Sequence, residues 1–343
     1  MANKKTTIHD IARELEITAS TVSRALKDHP RISESTKKSV LAMAEEMNYQ
    51  PNSIAAALRR GTSNLVGIII PTADRNFFAS VVRGVEDVLK DTSYNVIICQ
   101  SDDSLEKEKS NIKALLEAQV DGIFASYAKE TTNFDHYKTV IKRGIPLILF
   151  DRIQESFDVD AVGVDDYVGA YKATEHLIEQ GCKKIVHFAG PDNVSIYRDR
   201  KRGYEEALKR NNMLVDEDLI LTSDLKLETG RSLTREIISG GNIPDAIFSA
   251  SDYSAMGAME ILKKEGYKIP EDVAIVGFSN ESFTSLVDPA LSTVDQHSKK
   301  MGQFTANMFL ERMKNKAATH TPSKTILNPE LIIRKSSLRA ENP

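Results

Sequence analysis

From residue 64 onward the chain alternates between short apolar runs rich in β-branched residues and longer amphipathic ones. NLVGIII (64–70), NVIICQ (95–100), VDGIFAS (120–126) and PLILF (146–150) are separated by FASVVRGVEDVLKDT, LEKEKSNIKALLEAQ and YKTVIKRG. A second series runs from YKATEHLIEQG (171–181) through KKIVHFAG, RKRGYEEALKRNN, DLILTS, TGRSLTREIISG, DAIFSAS and AMGAMEILKKEG to DVAIVGF (272–278). Strand-sized apolar runs between helix-sized amphipathic ones specify βαβ units, and hence parallel sheets covered by helices on both faces. About 280 residues are too many for one open sheet of this kind, so two subdomains are expected. Ligands in such folds bind beyond the carboxyl ends of the strands, which makes a cleft between two facing sheets the natural site.

The first sixty residues follow a different rule. Ile8, Ile11, Ala12 and Leu15 share one face of a short helix. Val22, Ala25 and Leu26 form the apolar stripe of a second, and Val40, Ala44 and Met47 that of a third. Thr18 and Ser33 stand where the second and third helices need N-caps. Only Glu16-Ile17 separates the first two helices, which forces the tight crossing of a helix-turn-helix. With its apolar stripe inward, the second helix exposes Ala19, Ser20, Ser23, Arg24 and Lys27. Thr18 and Thr21 at its start can reach phosphates, Arg24 can read guanine bidentately, and Ala19 can accommodate a thymine methyl. Thr7 and Ser33 complete the candidate DNA contacts of this head. Charge agrees: residues 1–60 hold ten Lys/Arg and seven Asp/Glu, a net +3, and the chain total of −4 leaves −7 for the rest.

Other classes lack their signatures. No run approaches the ~18 apolar residues of a membrane span, and the first residues, MANKKTTIHD, carry no apolar signal-peptide core, so a cytoplasmic location is expected. Cys99 and Cys182 form neither a disulfide framework nor metal-ligand spacing, and the seven histidines are scattered. Nucleotide-loop, nucleophile-elbow and zinc-protease motifs are absent, so neither an enzyme nor a metal or cofactor site is expected. The paired acidics Asp102-Asp103 and Asp165-Asp166 read as helix caps at strand-to-helix turns.

The head closely resembles the lactose/galactose repressor family. The matching elements are T-I-x-D-I-A-R, T-V-S-R-A-L, P-R-I-S-x-x-T, the N-Y-x-P-N joint and the A-x-x-L segment within PNSIAAALRRG (51–61), and the likeness continues more loosely to the end of the chain. The resemblance implies an α/β protein with an all-α helix-turn-helix head (1–50), a hinge helix (51–61) and a periplasmic-binding-protein-like body (62–343). Three crossings divide the body near residues 162, 291 and 323, giving an N-subdomain of about 62–162 and 292–323 and a C-subdomain of about 163–291 and 324–343. It further implies a repressor whose homodimer binds pseudo-palindromic operator DNA, with a small-molecule effector, a sugar or sugar derivative, in the cleft. In the hinge, Asn52, Ala55 and Leu58 join the DNA contacts, with Leu58 as a minor-groove wedge. Isolated helices below ~12–15 residues are marginal, so this one is expected to fold when two hinges meet on DNA. The ending IIRKSSLRAENP has no leucine heptads, so a dimer rather than a tetramer is expected. An exported sugar receptor shares the body fold, but lacks such a head.

Several positions match the family's effector contacts. These are Phe77 and Phe78 after the first strand, Asp151 and Arg152 ending LILFDR, Arg200 in RKRGY, Leu225 in SDLKLE, and Ser251 and Asp252 ending DAIFSASD. Two departures stand out. Glu16 occupies the turn where the family has glycine, which implies about 1 kcal/mol of strain or an altered turn. Ser279 and Asn280 replace an acidic residue, so these two candidate contacts bring no carboxylate, and a phosphorylated or acidic effector becomes more favourable.

Overall fold

The computed structural model describes residues 6–49, 61–154, 157–315 and 320–339. Two compact units result, one ending at Ser63 and the other beginning at Asn64. The first holds helices α1 (Ile8–Glu14), α2 (Ala19–Ala25) and α3 (Glu34–Glu46), closed around Ile11, Val22, Ala25, Val40 and Ala44. The turn after α1 is the family-like one, built with a glutamate. Glu16 lies in the left-handed region at φ 53°, while Ile17 N donates to Ala12 O at 3.0 Å and Glu16 N to Arg13 O at 3.3 Å. That pair of bonds is the glycine-favouring helix terminus, so the backbone keeps its geometry and the glutamate bears the strain.

The second unit contains two sheets. Strands β1 (Leu65–Ile70), β2 (Asn95–Gln100), β3 (Gly122–Ala125), β4 (Leu147–Phe150) and β5 (Asp160–Val164) alternate with helices α4 (Asn76–Leu89), α5 (Leu105–Glu117) and α6 (Asp135–Lys142). Helix α7 (Asp166–Glu179) opens the second series, with strands β6 (Ile185–Ala189), β7 (Ile220–Thr222), β8 (Ala246–Ser249), β9 (Ala274–Phe278) and β10 (Ser292–Asp295). Between them lie helices α8 (Ser195–Arg210), α9 (Leu227–Ser239) and α10 (Asp252–Lys264). Helix α11 (Ser298–Lys314) then leads to β11 (Lys324–Leu327) and β12 (Glu330–Ile332).

The sheet orders are β11-β5-β4-β3-β1-β2 and β12-β10-β9-β8-β6-β7. All pairings are parallel except the edge strand β12, which runs antiparallel to β10. Each sheet thus repeats a 2-1-3-4-5 order whose switch point lies beside its first strand. Separate apolar clusters fill both faces of each sheet. The return of α11 onto the first sheet needs glycine at a helix crossing: a Cβ on Gly84 would stand 2.1 Å from Lys299 O, and one on Gly302 2.0 Å from Val81 O.

The chain changes sheets after Val164, after Asp295 and after Leu327. These points fall a few residues beyond the breaks expected at 162, 291 and 323. In each case a strand completes its hydrogen-bonded pairing before the chain leaves the sheet. β10 therefore belongs to the second sheet and β11 to the first.

Candidate functional site

In the head, Thr18 Oγ1 accepts from Thr21 N at 3.2 Å and caps α2, and Ser33 Oγ does the same for α3 from Thr36 N at 3.2 Å. Thr7 Oγ1 donates to Asp10 Oδ2 at 2.7 Å, securing the start of α1. With Val22 and Ala25 buried, α2 turns outward Ser20 and Arg24, which are exposed, and Ala19, Thr21 and Ser23, which are half-buried, while Lys27 is exposed in the turn just past its end. One short helix therefore offers small hydroxylated residues at its N-terminal end and the cation Arg24 toward its other end, with Lys27 just beyond. Asn52, Ala55 and Leu58 lie outside the described residues.

In the body, a cavity of about 370 Å³ opens where the carboxyl ends of both sets of strands meet. The first sheet contributes Arg75, Phe77 and Phe78 after β1, Asp102 and Asp103 after β2, Lys129 after β3, and Asp151 and Arg152 after β4. The second contributes Tyr197 and Arg200 from α8, Asp224 and Lys226 after β7, Tyr253 from α10, Ser279 and Glu281 after β9, and Gln296 after β10. Phe77 and Phe78 meet edge to face with ring centroids 5.0 Å apart, forming an apolar wall.

The polar groups form a dense network. Arg152 Nη1 donates to Asp103 Oδ1 and to Tyr127 O, both at 2.6 Å. Its Nε is buried without a hydrogen-bond partner among the described residues, and Asp151 Oδ2 stands 4.0 Å away. Asp151 accepts from Ser126 Oγ at 3.1 Å. Burial pushes the Asp151 carboxyl up, against the pull of Arg152 and Arg200. Burial also works on Asp103, but Arg152 and Lys129 together hold it below the usual carboxylate range. Arg200 donates through Nε to Asp166 Oδ1 and through Nη1 to Ala250 O, both at 2.7 Å, and its guanidinium lies 3.7 Å from the Phe278 ring centroid. Gln296 Nε2 is the second buried, unpartnered donor in the cleft.

Six of the sequence candidates thus line one cavity: Phe77, Phe78, Asp151, Arg152, Arg200 and Ser279. Four do not. Leu225, at φ 61°, turns into the second sheet's apolar core and is fully buried. Ser251 caps α10, accepting from Tyr253 N at 3.3 Å. Asp252 accepts from Thr293 Oγ1 at 2.6 Å and Glu281 N at 2.8 Å, and burial pushes its carboxyl up to about 7. Asn280 is taken up by Asp295, Thr293 and Arg334. Asp165 caps α7 as expected, through Val168 N at 2.9 Å. Asp103 is no cap, however: Ser104 holds that position for α5, and Asp103 faces the cleft.

Lys129, Tyr197, Glu281 and Gln296 escaped the sequence reading. Glu281 alone had a signal, for it follows Ser279-Asn280 directly and restores a carboxylate to the cleft. The sheets also touch on both sides of the cavity. Asn76 N donates to Glu281 Oε2 at 3.0 Å and Tyr253 OH to Asp74 O at 3.2 Å. On the other side Lys129 Nζ donates to Asp224 O at 3.3 Å and Asn193 Nδ2 to Lys129 O at 2.9 Å.

A helix-turn-helix head in one unit and, in the other, a cleft between two parallel-dominated sheets define a ligand-responsive, DNA-binding regulator. Residues 7–52 match the model of bacterial regulatory proteins of the lacI family, and residues 63–334 that of periplasmic binding proteins and the sugar-binding domain of the LacI family. The ribose operon repressor of Halalkalibacterium halodurans is 32% identical over 340 residues, 98% of each chain. A LacI-family regulator from Enterococcus faecium, solved with bound ribose, is 25% identical with a TM-score of 0.71, covering 80% of this chain and 100% of its own. The lac repressor dimer bound to operator and an anti-inducer shares the fold with a TM-score of 0.84 at 23% identity, over 98% of this chain and 100% of its own. The chain belongs to the LacI family and is a DNA-binding transcriptional regulator. Among the described residues, no helix is long and apolar enough to cross a membrane.

Proposed function

We propose that the protein is a repressor whose homodimer grips a pseudo-palindromic operator, and that a neutral sugar of monosaccharide size, seated in the cleft, controls that grip. One observation carries the effector reading: Arg152 Nε and Gln296 Nε2 are buried without partners in the same cavity as Asp151, which accepts one side-chain hydrogen bond. Burying a donor unpaired costs about 1–3 kcal/mol. Adjacent hydroxyls repair that deficit, because each can accept from a donor and donate to the carboxylate. A cavity of about 370 Å³ suits a single sugar ring.

Charge points the same way. Arg152 and Lys129 are engaged by Asp103, Arg200 by Asp166 and Lys226 by Asp224. The remaining lining cation, Arg75, faces the Glu281 carboxyl, so the preference for a phosphorylated effector drawn from Ser279 and Asn280 gives way to a neutral one. The ribose named for two of the relatives has the matching size and neutrality.

For DNA, the proposed contacts are those of α2 and its caps, with Asn52, Ala55 and Leu58 at the hinge. A single small head buries too little surface for selective binding, and a two-fold dimer doubles it. The test is a thermal-shift screen of neutral sugars and their phosphates, followed by mobility shift on genomic fragments with any hit. A neutral sugar is expected to stabilise the protein and change operator affinity, and Asp151→Asn to abolish both effects while DNA binding persists. No stabilisation by any neutral sugar refutes the effector reading, and no sequence-specific retardation refutes the repressor.

A further inference from the structure

Glu281 reaches from the loop after β9 in the second sheet to the N-terminus of α4 on the first. Its carboxylate is buried, at 3% exposure, and accepts from Asn76 N at 3.0 Å. The mount is rigid: Glu281 N donates to Asp252 Oδ2 at 2.8 Å, and Asp252 Oδ1 is fixed by Thr293 Oγ1 at 2.6 Å. Burial pushes the Glu281 carboxyl up, against the pull of the neighbouring Arg75, whose guanidinium lies 5.2 Å from the Tyr253 ring centroid. The N-terminus of this 14-residue helix, with Arg75 next to it, is where an anionic ligand group would be held. Here the protein's own carboxylate holds the place. Among the residues lining the cleft beyond it, Arg152 and Gln296 each hold a buried donor, Nε and Nε2, without a partner among the described residues.

We infer that Glu281 is a specificity-determining residue: it occupies the anion position at the start of α4 and thereby excludes phosphorylated and carboxylated molecules from the cleft. An acidic ligand entering at the start of α4 would set its charge against Glu281 and Asp74, with the Asn76 N–H already taken by Glu281. Selectivity of this kind is built by opposing the wrong ligand as much as by fitting the right one. The inference rests on the effector reading of the cleft.

Its test uses the full-length protein with Glu281→Ala, which vacates the position, and Glu281→Gln, which keeps the shape and one acceptor but removes the charge. Each is titrated with inorganic phosphate against chloride at constant ionic strength, reading the unfolding temperature. Wild type is expected to show no phosphate-specific stabilisation. Both variants should show a saturable one, with phosphate affinity raised at least about tenfold in Glu281→Ala and less in Glu281→Gln. Should the alanine variant fail to fold, the glutamine variant decides. Variants that unfold cooperatively with the wild-type phosphate response overturn the inference, as does a wild type that already responds as strongly. Neutral-sugar stabilisation is measured on the same samples. Its absence from wild type refutes the effector reading, whereas an absent phosphate gain with the sugar response intact refutes only the role of Glu281.

Discussion

His187 gives the body a calculable sensitivity to acid. It lies fully buried on β6, stacked between Tyr204 at 5.0 Å and Phe248 at 4.8 Å, with Nδ1 3.0 Å from Phe248 O. A carbonyl can only accept, so Nδ1 carries the proton and Nε2 is left as a buried lone pair without a partner. Burial, opposed by the bond to Phe248 O and reinforced by the charges of Arg200 and Lys201, pushes its pKa down to about 4. The unfolded chain binds this proton near pH 6.5, so the contribution to stability is complete above that pH and is lost as the pH falls toward 4. The full loss is about 3 kcal/mol, of which about 2 kcal/mol falls between pH 7 and pH 5. His187→Asn keeps an N–H near the Nδ1 position but cannot titrate, and its smaller volume costs about 1–2 kcal/mol at either pH. The stability gap between wild type and variant should therefore shift by about 2 kcal/mol in the variant's favour on going from pH 7 to pH 5. Urea unfolding followed by far-ultraviolet circular dichroism measures it, since the chain has no tryptophan for fluorescence. Carboxylates common to both proteins cancel in the difference. An equal gap at the two pH values would show that His187 does not resist protonation in the fold, and would refute the reasoning.

Two further substitutions test the backbone. Glu16→Gly relieves the left-handed turn after α1 and should stabilise the head by about 1 kcal/mol without loss of operator affinity; a lowered head unfolding temperature would mean that the glutamate side chain contributes more than its strain costs. Gly84→Ala places a Cβ 2.1 Å from Lys299 O, so α4 and α11 must part, at a cost of about 2–4 kcal/mol in the urea midpoint; an unchanged midpoint would refute the close crossing.

What was legible in the sequence was what local pattern encodes. The alternation from residue 64 to 278 marked most strands and helices of both sheets, and the three stripes of the head marked its core. Elements near the crossings were harder. β5, β10, β11 and β12 sit where the chain leaves a sheet, and their partners are distant in sequence: β11 pairs with β5 across some 160 residues. Candidates beyond the carboxyl ends of β1 and β4 fared well, because that end of a parallel sheet faces the cleft, whereas Ser251 and Asp252 after β8 are drawn into capping and buried hydrogen bonds. Leu225 failed because a positive φ reverses its side chain into the core, and Asp252 because hydrogen bonds to Thr293 and Glu281 claim it inside the fold. Lys129 and Tyr197 face the same cavity only because two sheets come together, a relation no local window contains.

The position of Gln296 bears most directly on how a ligand in the cleft can act at a distance. It is not on either sheet but in the crossing between β10 and α11, where His297 bends the chain at φ 54° and Asp295 Oδ1 accepts from His297 N at 2.7 Å. Asp151 and Arg152 belong to the first sheet, Arg200 and Ser279 to the second. A ligand meeting all of these at once contacts both sheets and the connection between them, so part of its binding energy depends on their relative placement. A ligand shifts a conformational equilibrium only by the difference in its affinity for the two states. Contacts confined to one sheet give no such difference, whereas a bond to Gln296 across from Arg152 gives one by construction. Helix α11, which starts two residues later and packs through Gly302 on α4, carries any displacement of that crossing into the first sheet's helical layer. An effector seated there would therefore act directly on the connection between the two sheets, with no long relay of side chains within the body.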